Sequence, residues 1–565
     1  MAPARANEAG ADGARAVAAP PGRIAGGASV AGSLRPGEAA TYKIALARGD
    51  LVQGGFEGMP ATLDLLDAGG GHLRRLAGAT LPTRDFLFVA PADGDYLLAV
   101  RAPAQDDAPG ALRFRLALGA TVPPSAQHAP PEALESPRLR ALAAGGDAGD
   151  VAAFWREMAA RGTPLVEPAD ADGAGMLVTF LWRGARGNVR LFGSPAGDHD
   201  ALARLGDSDV WFRSYRLPAT TRLSYQLAPD VPELDAPAPQ RRRAILATSQ
   251  RDPLNPRVFA AGDAADAADA ADVFGQKSVL ELPGAPPQPW LAPRPAVPAG
   301  TLRRHRFDSR LLGNTRDVYL YRPAGYRPGA AGQALLVVFD AQAYVSLVPT
   351  PAILDNLIAE GRIPPTAAVI VGNPSANARS AELPPNPLFA RFLAEELMPW
   401  ARAQGVAAPA ARTVIAGSSY GGLASAYAAL RHPGLFGNVL SQSGSFWWAP
   451  GAGSALAAGT GAGENESEPE WLARRYAEAG RLPLRFYLEA GLFEGARGPG
   501  GILSATRHLR DVLRARGYPV RYAESASGHD YLHWRGSLAC GLMALIGTPP
   551  APATEAARAC PMLKD

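Results

Sequence analysis

The chain has 565 residues, too many for a single hydrophobic core, so several domains are expected. Hydrophobic residues make up 47% and charged residues 19%, and the formal net charge is +3, which is typical of a globular protein and argues against a nucleic-acid-binding one. No apolar run reaches the roughly 20 residues that a membrane-spanning helix requires. Residues 1–28, rich in Ala and Gly, are predicted to be disordered and lack the apolar stretch of a secretory signal.

Residues 29–120 alternate apolar and polar positions between turn signals, which predicts a small β-sandwich. The opening Gly32-Ser-Leu34, with Gly37 five residues before Tyr42, and the late strand Gly94-Asp-Tyr-Leu-Leu-Ala-Val100 resemble accessory modules of the prepeptidase C-terminal type. Such a module is expected to pack against the rest of the protein or to tether it. A Pro/Ala-rich linker is predicted over residues 121–148.

The region 149–276 is predicted to be a second, immunoglobulin-like β-sandwich. A helical stretch at 148–162 precedes strands that are rich in aromatic and β-branched residues, such as Met176–Trp182 and Val210–Leu217. This composition favours strands that are buried on one face.

From residue 277 to 548 the pattern changes to alternating strands and helices. A hairpin at Thr301–Arg322 leads to a buried strand at Ala334–Phe339, and a helix is predicted at Leu388–Arg402. This alternation predicts a mainly parallel sheet covered by helices on both faces. The predicted fold class is therefore α/β: an α/β-hydrolase domain after two β-sandwich domains, with a C-terminal tail at 549–565.

The stretch Gly417-Ser-Ser-Tyr-Gly421 reads G-x-S-x-G between an apolar strand, Arg412–Ala416, and a run that favours a helix. Strand, sharp turn and helix form the context of a nucleophile elbow, so Ser419 is predicted to be a catalytic nucleophile. Its neighbour Ser418 stands one place early for the motif.

A serine nucleophile needs a base, and in this fold the histidine follows the acid in the chain. Among the eight histidines, His529 lies just past the strand Val520–Ala523, where it can reach the elbow, whereas His533 falls within a predicted helix. His529 is therefore the predicted base.

The acid should follow the strand at 485–489. Glu494, in the loop after this strand, is preferred as the acid, and Glu489, at the strand end, remains an alternative. The oxyanion hole is expected to use the backbone N–H of Tyr420 and that of Ala341 or Gln342. No metal-ligand spacing is present in the sequence, so neither a metal site nor a cofactor is expected.

Several segments together resemble the enterochelin (enterobactin) esterase family, over residues 150–548. They are Phe339-Asp-Ala-Gln-Ala-Tyr344, Arg379-Ser-Ala-Glu-Leu-Pro-Pro-Asn386, the elbow, Leu440-Ser-Gln-Ser-Gly-Ser-Phe-Trp-Trp448, Leu488-Glu-Ala-Gly-Leu-Phe-Glu494, Gly528-His-Asp-Tyr-Leu-His-Trp-Arg-Gly536 and, upstream, Asp209–Pro218 and Asp252–Pro256. The resemblance implies the same catalytic set, Ser419, His529 and Glu494. It also implies a trilactone substrate that carries catecholates around ferric iron, so that iron arrives with the substrate.

For such an anionic substrate, Arg379 and Arg535 are predicted contacts and Trp447 a candidate pocket wall. A general carboxylesterase for feruloyl or acetyl esters, and a siderophore-binding protein with a vestigial site, are the alternatives. No nucleic-acid partner is expected, and the oligomeric state is open.

The compartment also stays open. The family pattern implies the cytoplasm, whereas the N-terminal module is commoner on exported enzymes and favours the periplasm. Cys540 and Cys560 are the only cysteines and are candidates for a disulfide.

Overall fold

The computed structural model describes residues 21–547 and 558–560, except 59–60, 79–82, 104–110, 124–132, 146, 171–172, 198, 235, 261–271, 451–469 and 496–500. Much of the predicted N-terminal segment, linker and C-terminal tail thus lies outside the described residues. The chain divides into two compact units: the first ends at Thr121 and leaves out Leu87–Val89, and the second begins at Val122 apart from those three residues. Within the described part, no helix is long and apolar enough to cross a membrane.

The first unit contains two β-sheets with strand orders β1-β3-β8-β5-β6 and β2-β9-β4-β7. Its strands are β1 (Gly22–Arg23), β2 (Ser29–Leu34), β3 (Ala39–Leu46), β4 (Leu51–Glu57), β5 (Thr62–Asp67), β6 (His72–Ala77), β7 (Thr83–Val89), β8 (Gly94–Arg101) and β9 (Leu112–Leu118). Apolar side chains from both sheets are buried, and the rings of Tyr42 in β3 and Phe114 in β9 lie 6.3 Å apart. The alternating pattern of the sequence therefore corresponds to strands with one buried face.

The second unit begins with two helices and another pair of antiparallel sheets, ordered β10-β11-β14-β13 and β12-β15-β17-β16. Its elements are α1 (Pro137–Gly145), α2 (Ala148–Arg161), β10 (Leu165–Pro168), β11 (Gly175–Arg183), β12 (Val189–Gly193), β13 (Ala203–Arg204), β14 (Val210–Pro218), β15 (Arg222–Pro229), α3 (Ala238–Thr248), β16 (Val258–Phe259) and β17 (Lys277–Glu281). Phe180, Trp211 and Tyr225 are fully buried between these sheets. This part is called the upstream sandwich below.

An eight-stranded sheet of order β18-β19-β21-β20-β22-β23-β24-β25 follows. Its strands are β18 (Thr301–Ser309), β19 (Asn314–Arg322), β20 (Ala334–Phe339), β21 (Thr366–Val371), β22 (Thr413–Ser418), β23 (Asn438–Gln442), β24 (Arg485–Gly491) and β25 (Val520–Ser525). The hairpin β18–β19 is antiparallel and β19 pairs antiparallel with β21, whereas all other neighbours are parallel. Strands β20 to β23 are buried along their whole length, as expected of parallel strands covered on both faces.

Helices connect these strands, and buried clusters lie on both faces of the sheet. They are α4 (Ala341–Ser346), α5 (Thr350–Ala359), α6 (Ala376–Glu382), α7 (Pro387–Arg391), a π-helical segment (Phe392–Leu397), α8 (Met398–Ala403), a 3-10 turn (Ala410–Arg412), α9 (Tyr420–Arg431), α10 (Trp471–Glu478), α11 (Gly501–Ala515) and α12 (Tyr531–Ile546). The fold class predicted from the sequence is confirmed, while the exact domain limits stay a prediction. A disulfide joins Cys540 of α12 to Cys560.

Candidate active site

The serine of the G-x-S-x-G motif lies in the sharp turn between β22 and α9. Ser419 has φ 58° and ψ −122°, a conformation that residues with side chains rarely adopt. The turn is tight enough that a Cβ on Gly417 would lie 2.5 Å from the carbonyl carbon of Gly421. The half-buried Ser419 is therefore held at the end of a central strand, directly before the N-terminus of α9, where negative charge is stabilised.

The predicted base and acid lie in hydrogen-bond contact. His529, in the loop between β25 and α12, has its Nδ1 2.7 Å from Oε1 of Glu494, in the loop after β24. The side chain of Glu494 is buried, and its Oε2 accepts the N–H of Gly491 at 2.6 Å. The His529 ring packs edge-on against Trp534, with the ring centroids 4.8 Å apart. The imidazole is thus oriented on one side by a carboxylate and on another by an aromatic ring.

The alternative acid, Glu489, has other partners. Its carboxylate accepts hydrogen bonds from the hydroxyls of Ser537 at 2.6 Å and Tyr487 at 3.1 Å. Burial raises the pKa of Glu489 to about 7. The nearest histidine is His533, whose Nε2 lies 3.7 Å from Oε1, and burial together with the nearby charge of Arg222 lowers the pKa of His533 to about 4. The geometry therefore places Glu494, and not Glu489, against His529.

The Ser419 hydroxyl contacts a second serine. Its Oγ lies 3.3 Å from Oγ of Ser445, which is buried and donates its backbone N–H to the Ser419 carbonyl at 3.1 Å. Among the described residues, no hydrogen bond joins Ser419 to His529. Catalytic hydrogen bonds in ligand-free enzymes are often long and shorten only when substrate binds. In this structure the Ser419 hydroxyl is therefore paired with another hydroxyl.

The N-terminus of α9 directly follows Ser419, and the N-terminus of α4 lies close to the first turn of α9. Helix α4 begins after Asp340, which has φ 59° and ψ 51°, and a Cβ on Gly421 in α9 would lie 3.5 Å from the Asp340 carboxylate. The carbonyl of Asp340 accepts the N–H groups of Ala343 and Tyr344. The N–H groups of Ala341 and Gln342, in the first turn of α4, have no acceptor within their helix. Together with the N–H of Tyr420 they are suited to stabilise an oxyanion, and the choice between Ala341 and Gln342 stays open.

The three predicted substrate contacts have different surroundings. Arg379 donates from Nε and one terminal nitrogen to both oxygens of Asp340, at 2.7 and 2.8 Å, and its guanidinium carbon lies 6.0 Å from the centre of the Tyr420 ring. The half-buried Trp447 also contacts the Tyr420 ring, with the two ring centroids 6.3 Å apart. Arg379 and Trp447 are thus next to Tyr420, the residue that follows Ser419.

Arg535 lies elsewhere. Its Nε donates to Oε1 of Gln288 at 2.9 Å, and its guanidinium carbon lies 5.2 Å from the ring centre of Phe259 in the upstream sandwich. Burial lowers the pKa of Arg535. Its contacts are those of a residue that joins two parts of the second unit.

Sequence reasoning assigned no role to Ser445, Asp340 or Asn373. Ser445 stands in a segment that carried the family resemblance, so a signal was present without an assigned function. The Asn373 side chain, in the loop after β21, donates to Asp340 at 2.6 Å, so that Asp340 is held by one side chain from this loop and by Arg379 from α6. No local pattern predicts this contact. No group of His, Cys, Asp or Glu side chains suited to a metal ion was found within the described residues.

Comparisons with known families match two consecutive parts of the chain. Residues 177–291 match the N-terminal domain model of enterochelin esterases, and residues 309–545 match a model described as putative esterase. The first unit lies outside both matched ranges.

Individual relatives give the same result. The chain is 32% identical over 450 residues to an iron(III) enterobactin esterase of Dickeya dadantii, with 74% of this chain and 97% of the relative covered. It is 29% identical over 433 residues to an iron(III) salmochelin esterase of Escherichia coli O6:H1, covering 74% and 98%. Both relatives are thus matched over nearly their whole length.

Solved structures resemble the chain in the same way. A ferric enterobactin esterase from Salmonella typhimurium aligns with 30% identity and a TM-score of 0.55, over 70% of this chain and 98% of that one. The enterobactin esterase from Shigella flexneri, crystallised in the presence of enterobactin, aligns with 28% identity and a TM-score of 0.53, over 70% and 97%. Sequence and fold therefore agree on the same set of relatives.

Proposed function

Because this chain belongs to the enterochelin esterase family, we propose that it is a serine esterase that hydrolyses the ester bonds of ferric catecholate siderophores of the enterobactin type and so releases their iron. The observation that carries the proposal is the 2.7 Å contact between His529 and Glu494 at the strand ends that also present Ser419. The two consecutive domains that match this family support the choice of substrate over other esters.

In the proposed reaction, Ser419 Oγ attacks an ester carbonyl of the trilactone while Nε2 of His529 takes the hydroxyl proton. Glu494 accepts the hydrogen bond of Nδ1–H, which leaves Nε2 free to act as the base and stabilises the imidazolium that forms. The N–H groups of Tyr420 and of Ala341 or Gln342 stabilise the oxyanion.

His529 then returns the proton to the departing alkoxide as the ester C–O bond breaks. The acyl group stays bound to Ser419. Water, activated by the same imidazole, attacks this acyl-enzyme and releases the carboxylic acid. Iron enters and leaves as part of the substrate, and the chain itself supplies the nucleophile, the base and the oxyanion donors.

Arg379 is the arginine best placed to contact an anionic substrate. Two of its nitrogens are bound to Asp340, and the third is proposed to donate to a catecholate oxygen. The same ion pair holds the start of α4, so Arg379 also supports the proposed oxyanion donors. Trp447 is proposed to form an aromatic wall beside Tyr420.

The proposed compartment is an oxidising one, the periplasm, and not the cytoplasm that the family pattern implies. The disulfide between Cys540 and Cys560 supports this choice, because disulfides persist in oxidising compartments and are rare in the cytosol. Fractionation of the producing cells with thiol alkylation tests it. Recovery from the cytoplasmic fraction with both cysteines alkylated would contradict the proposal.

The test of function is mass spectrometry of the products formed from ferric enterobactin by the wild type and by Ser419→Ala. The wild type is expected to give linear and then monomeric cleavage products, and the variant none. Ser418→Ala, at the adjacent buried serine, is the matched control and should retain hydrolysis. Parallel assays with p-nitrophenyl acetate and methyl ferulate identify a general esterase, and labelling by a fluorophosphonate shows whether the serine is activated. Cleavage of the simple esters alone would refute the substrate, and no labelling would refute the catalytic role.

A further inference from the structure

The loop that carries His529 is attached to the upstream sandwich. Two backbone N–H groups of β15 donate to this loop: that of Arg222 to the carbonyl of Ala526 at 3.1 Å, and that of Ser224 to Oδ2 of Asp530 at 2.5 Å. Pairing between β15 and its neighbour β12 ends at Gly193 and Tyr225. The histidine loop thus occupies the position next to β15 where β12 has ended.

Asp530, the residue after His529, makes two side-chain hydrogen bonds. Its Oδ1 accepts the N–H of Leu532 at 3.0 Å and caps α12, while its Oδ2 accepts the N–H of Ser224. Asp530 and Ser224 are both buried, so loss of the carboxylate would leave the Ser224 N–H without a partner. A single side chain next to His529 therefore connects the loop to a helix and to another domain.

The residue before His529 is equally confined. A Cβ on Gly528 would lie 1.5 Å from Oγ and 2.4 Å from Cβ of Ser194, directly after β12. Only glycine fits between the imidazole and the upstream sandwich at this point. Both chain neighbours of His529 are thus in contact with the same domain.

The loop that carries Glu494 is held in the same way. Phe493 packs against the hydrophobic core of the upstream sandwich, and its N–H donates to the carbonyl of Ser527 at 3.1 Å. The N–H of Leu492 donates to the carbonyl of Ser525 at 2.8 Å. Acid loop and base loop are therefore joined to each other and to one common support.

We propose that the upstream sandwich positions the catalytic base, with Asp530 as the positioning residue through which β15 holds His529 against Glu494 and toward Ser419. The proposal rests on the proposed function only in taking His529 as the base. Its physical basis is the sensitivity of nucleophilic catalysis to geometry, since a displacement of about 1 Å can lower the rate by about 100-fold. The contacts of Asp530 restrict such a displacement without touching the substrate.

The first experiment measures kcat and KM of Asp530→Asn and Asp530→Ala with p-nitrophenyl acetate and ferric enterobactin, and the rate of fluorophosphonate labelling. Asparagine keeps one oxygen for the N–H of Leu532 at the α12 cap but cannot also accept the N–H of Ser224. This variant therefore separates the contact with β15 from the helix cap. We expect kcat and the labelling rate to fall by about 10- to 100-fold, with KM changed by less than about threefold, because the defect lies in the base. The control is Asp147→Ala, which removes the N-cap of α2 without any contact to the histidine loop.

The second experiment uses Gly528→Ala and its combination with Ser194→Gly. The added methyl group should displace the histidine loop and lower kcat, and removal of the Ser194 side chain, whose Oγ and Cβ are the atoms that clash, should restore most of it. Such rescue arises only if the upstream sandwich acts on the base.

Unchanged kcat and labelling in both Asp530→Asn and Gly528→Ala would overturn the positioning role. A wild type that cleaves p-nitrophenyl acetate but not ferric enterobactin would instead refute the substrate and leave the positioning test intact.

Discussion

Two glutamate–histidine pairs lie side by side in the second unit, and they differ in almost every respect. Glu494 and His529 are 2.7 Å apart, whereas Glu489 and His533 are 3.7 Å apart. Glu494 comes from a loop and is fixed by a backbone N–H, while Glu489 lies within β24 and is satisfied by two hydroxyls.

Burial changes the ionisation of the second pair. The pKa of Glu489 is raised to about 7 and that of His533 is lowered to about 4, both mainly by burial. Between these values both groups are uncharged. A glutamate and a histidine in the right order in the chain therefore do not by themselves identify a catalytic pair, and the distance between carboxylate and ring distinguishes the two pairs.

The comparison is tested most strongly by replacing each histidine in turn. His529→Gln should lower kcat by about 10⁴-fold or more, since loss of a triad base removes activation of the serine. His533→Gln should lower it by less than about tenfold, as expected of a buried residue outside the triad. Hydrolysis of p-nitrophenyl acetate and ferric enterobactin by purified, folded variants provides the measurement. Equal losses in the two variants would mean that the pairs cooperate.

The acids are compared by the same substitution. Glu494→Gln should lower kcat by about 10³- to 10⁴-fold, because the amide can hold the wrong imidazole tautomer and cannot stabilise the imidazolium. Glu489→Gln should stay within about tenfold of the wild type. Steady-state kinetics on both variants checks this, and a larger loss in Glu489→Gln would restore Glu489 as the catalytic acid.

The predictions of Ser419 as the nucleophile and of the order of the triad rest on local patterns. Strand, small-residue turn and helix around Ser419 specify the elbow, and the position of His529 after the last strand follows from the order of strands. The choice between Glu489 and Glu494 stayed open, since it depends on how the loop after β24 bonds to the loop after β25.

Roles that depend on distant partners could not be predicted in the same way. Arg379 was expected to face substrate, and the structure shows two of its nitrogens bound to Asp340, 39 positions away. Arg535 contacts Gln288 and Phe259, far from it in sequence. At the level of the fold, alternation of strands and helices was sufficient for the parallel sheet, but nothing local indicates that β15 supports the histidine loop.

The pH dependence of stability tests the second pair, Glu489 and His533. Folded Glu489, with its raised pKa, keeps its proton between about pH 4.5 and 7, where the unfolded chain has lost it, so the free energy of unfolding decreases as pH rises through this window. His533, with its lowered pKa, makes the free energy of unfolding decrease as pH falls from about 6.5 to 4. The two effects oppose each other over most of this range.

Glu489→Gln removes one of the opposing effects. The free energy of unfolding of the variant minus that of the wild type should be about 3 kcal/mol higher at pH 8 than at pH 5. The linkage relation gives this difference for about two pKa units. Thermal unfolding of both proteins at the two pH values measures the difference, and His533→Gln should shift it in the opposite direction. A difference that does not change with pH would show that Glu489 is ionised in the folded protein at pH 5.

The smallest expected effect concerns which partner the nucleophile contacts at rest. Ser419 Oγ lies 3.3 Å from Ser445 Oγ, and either hydroxyl can be the donor. When Ser419 donates, this hydrogen bond must break before His529 can accept the Ser419 proton. A neutral hydrogen bond contributes about 1 kcal/mol net, so Ser445→Ala should raise kcat by no more than about fivefold. Steady-state rates with p-nitrophenyl acetate measure it, with Ser425→Ala, whose hydroxyl bonds to the Gly421 carbonyl within α9, as the control. A loss of about 100-fold would instead identify Ser445 as an oxyanion donor, because removal of one such donor has an effect of that size. In that case stabilisation of the oxyanion would depend on the Ser445 hydroxyl as well as on backbone N–H groups.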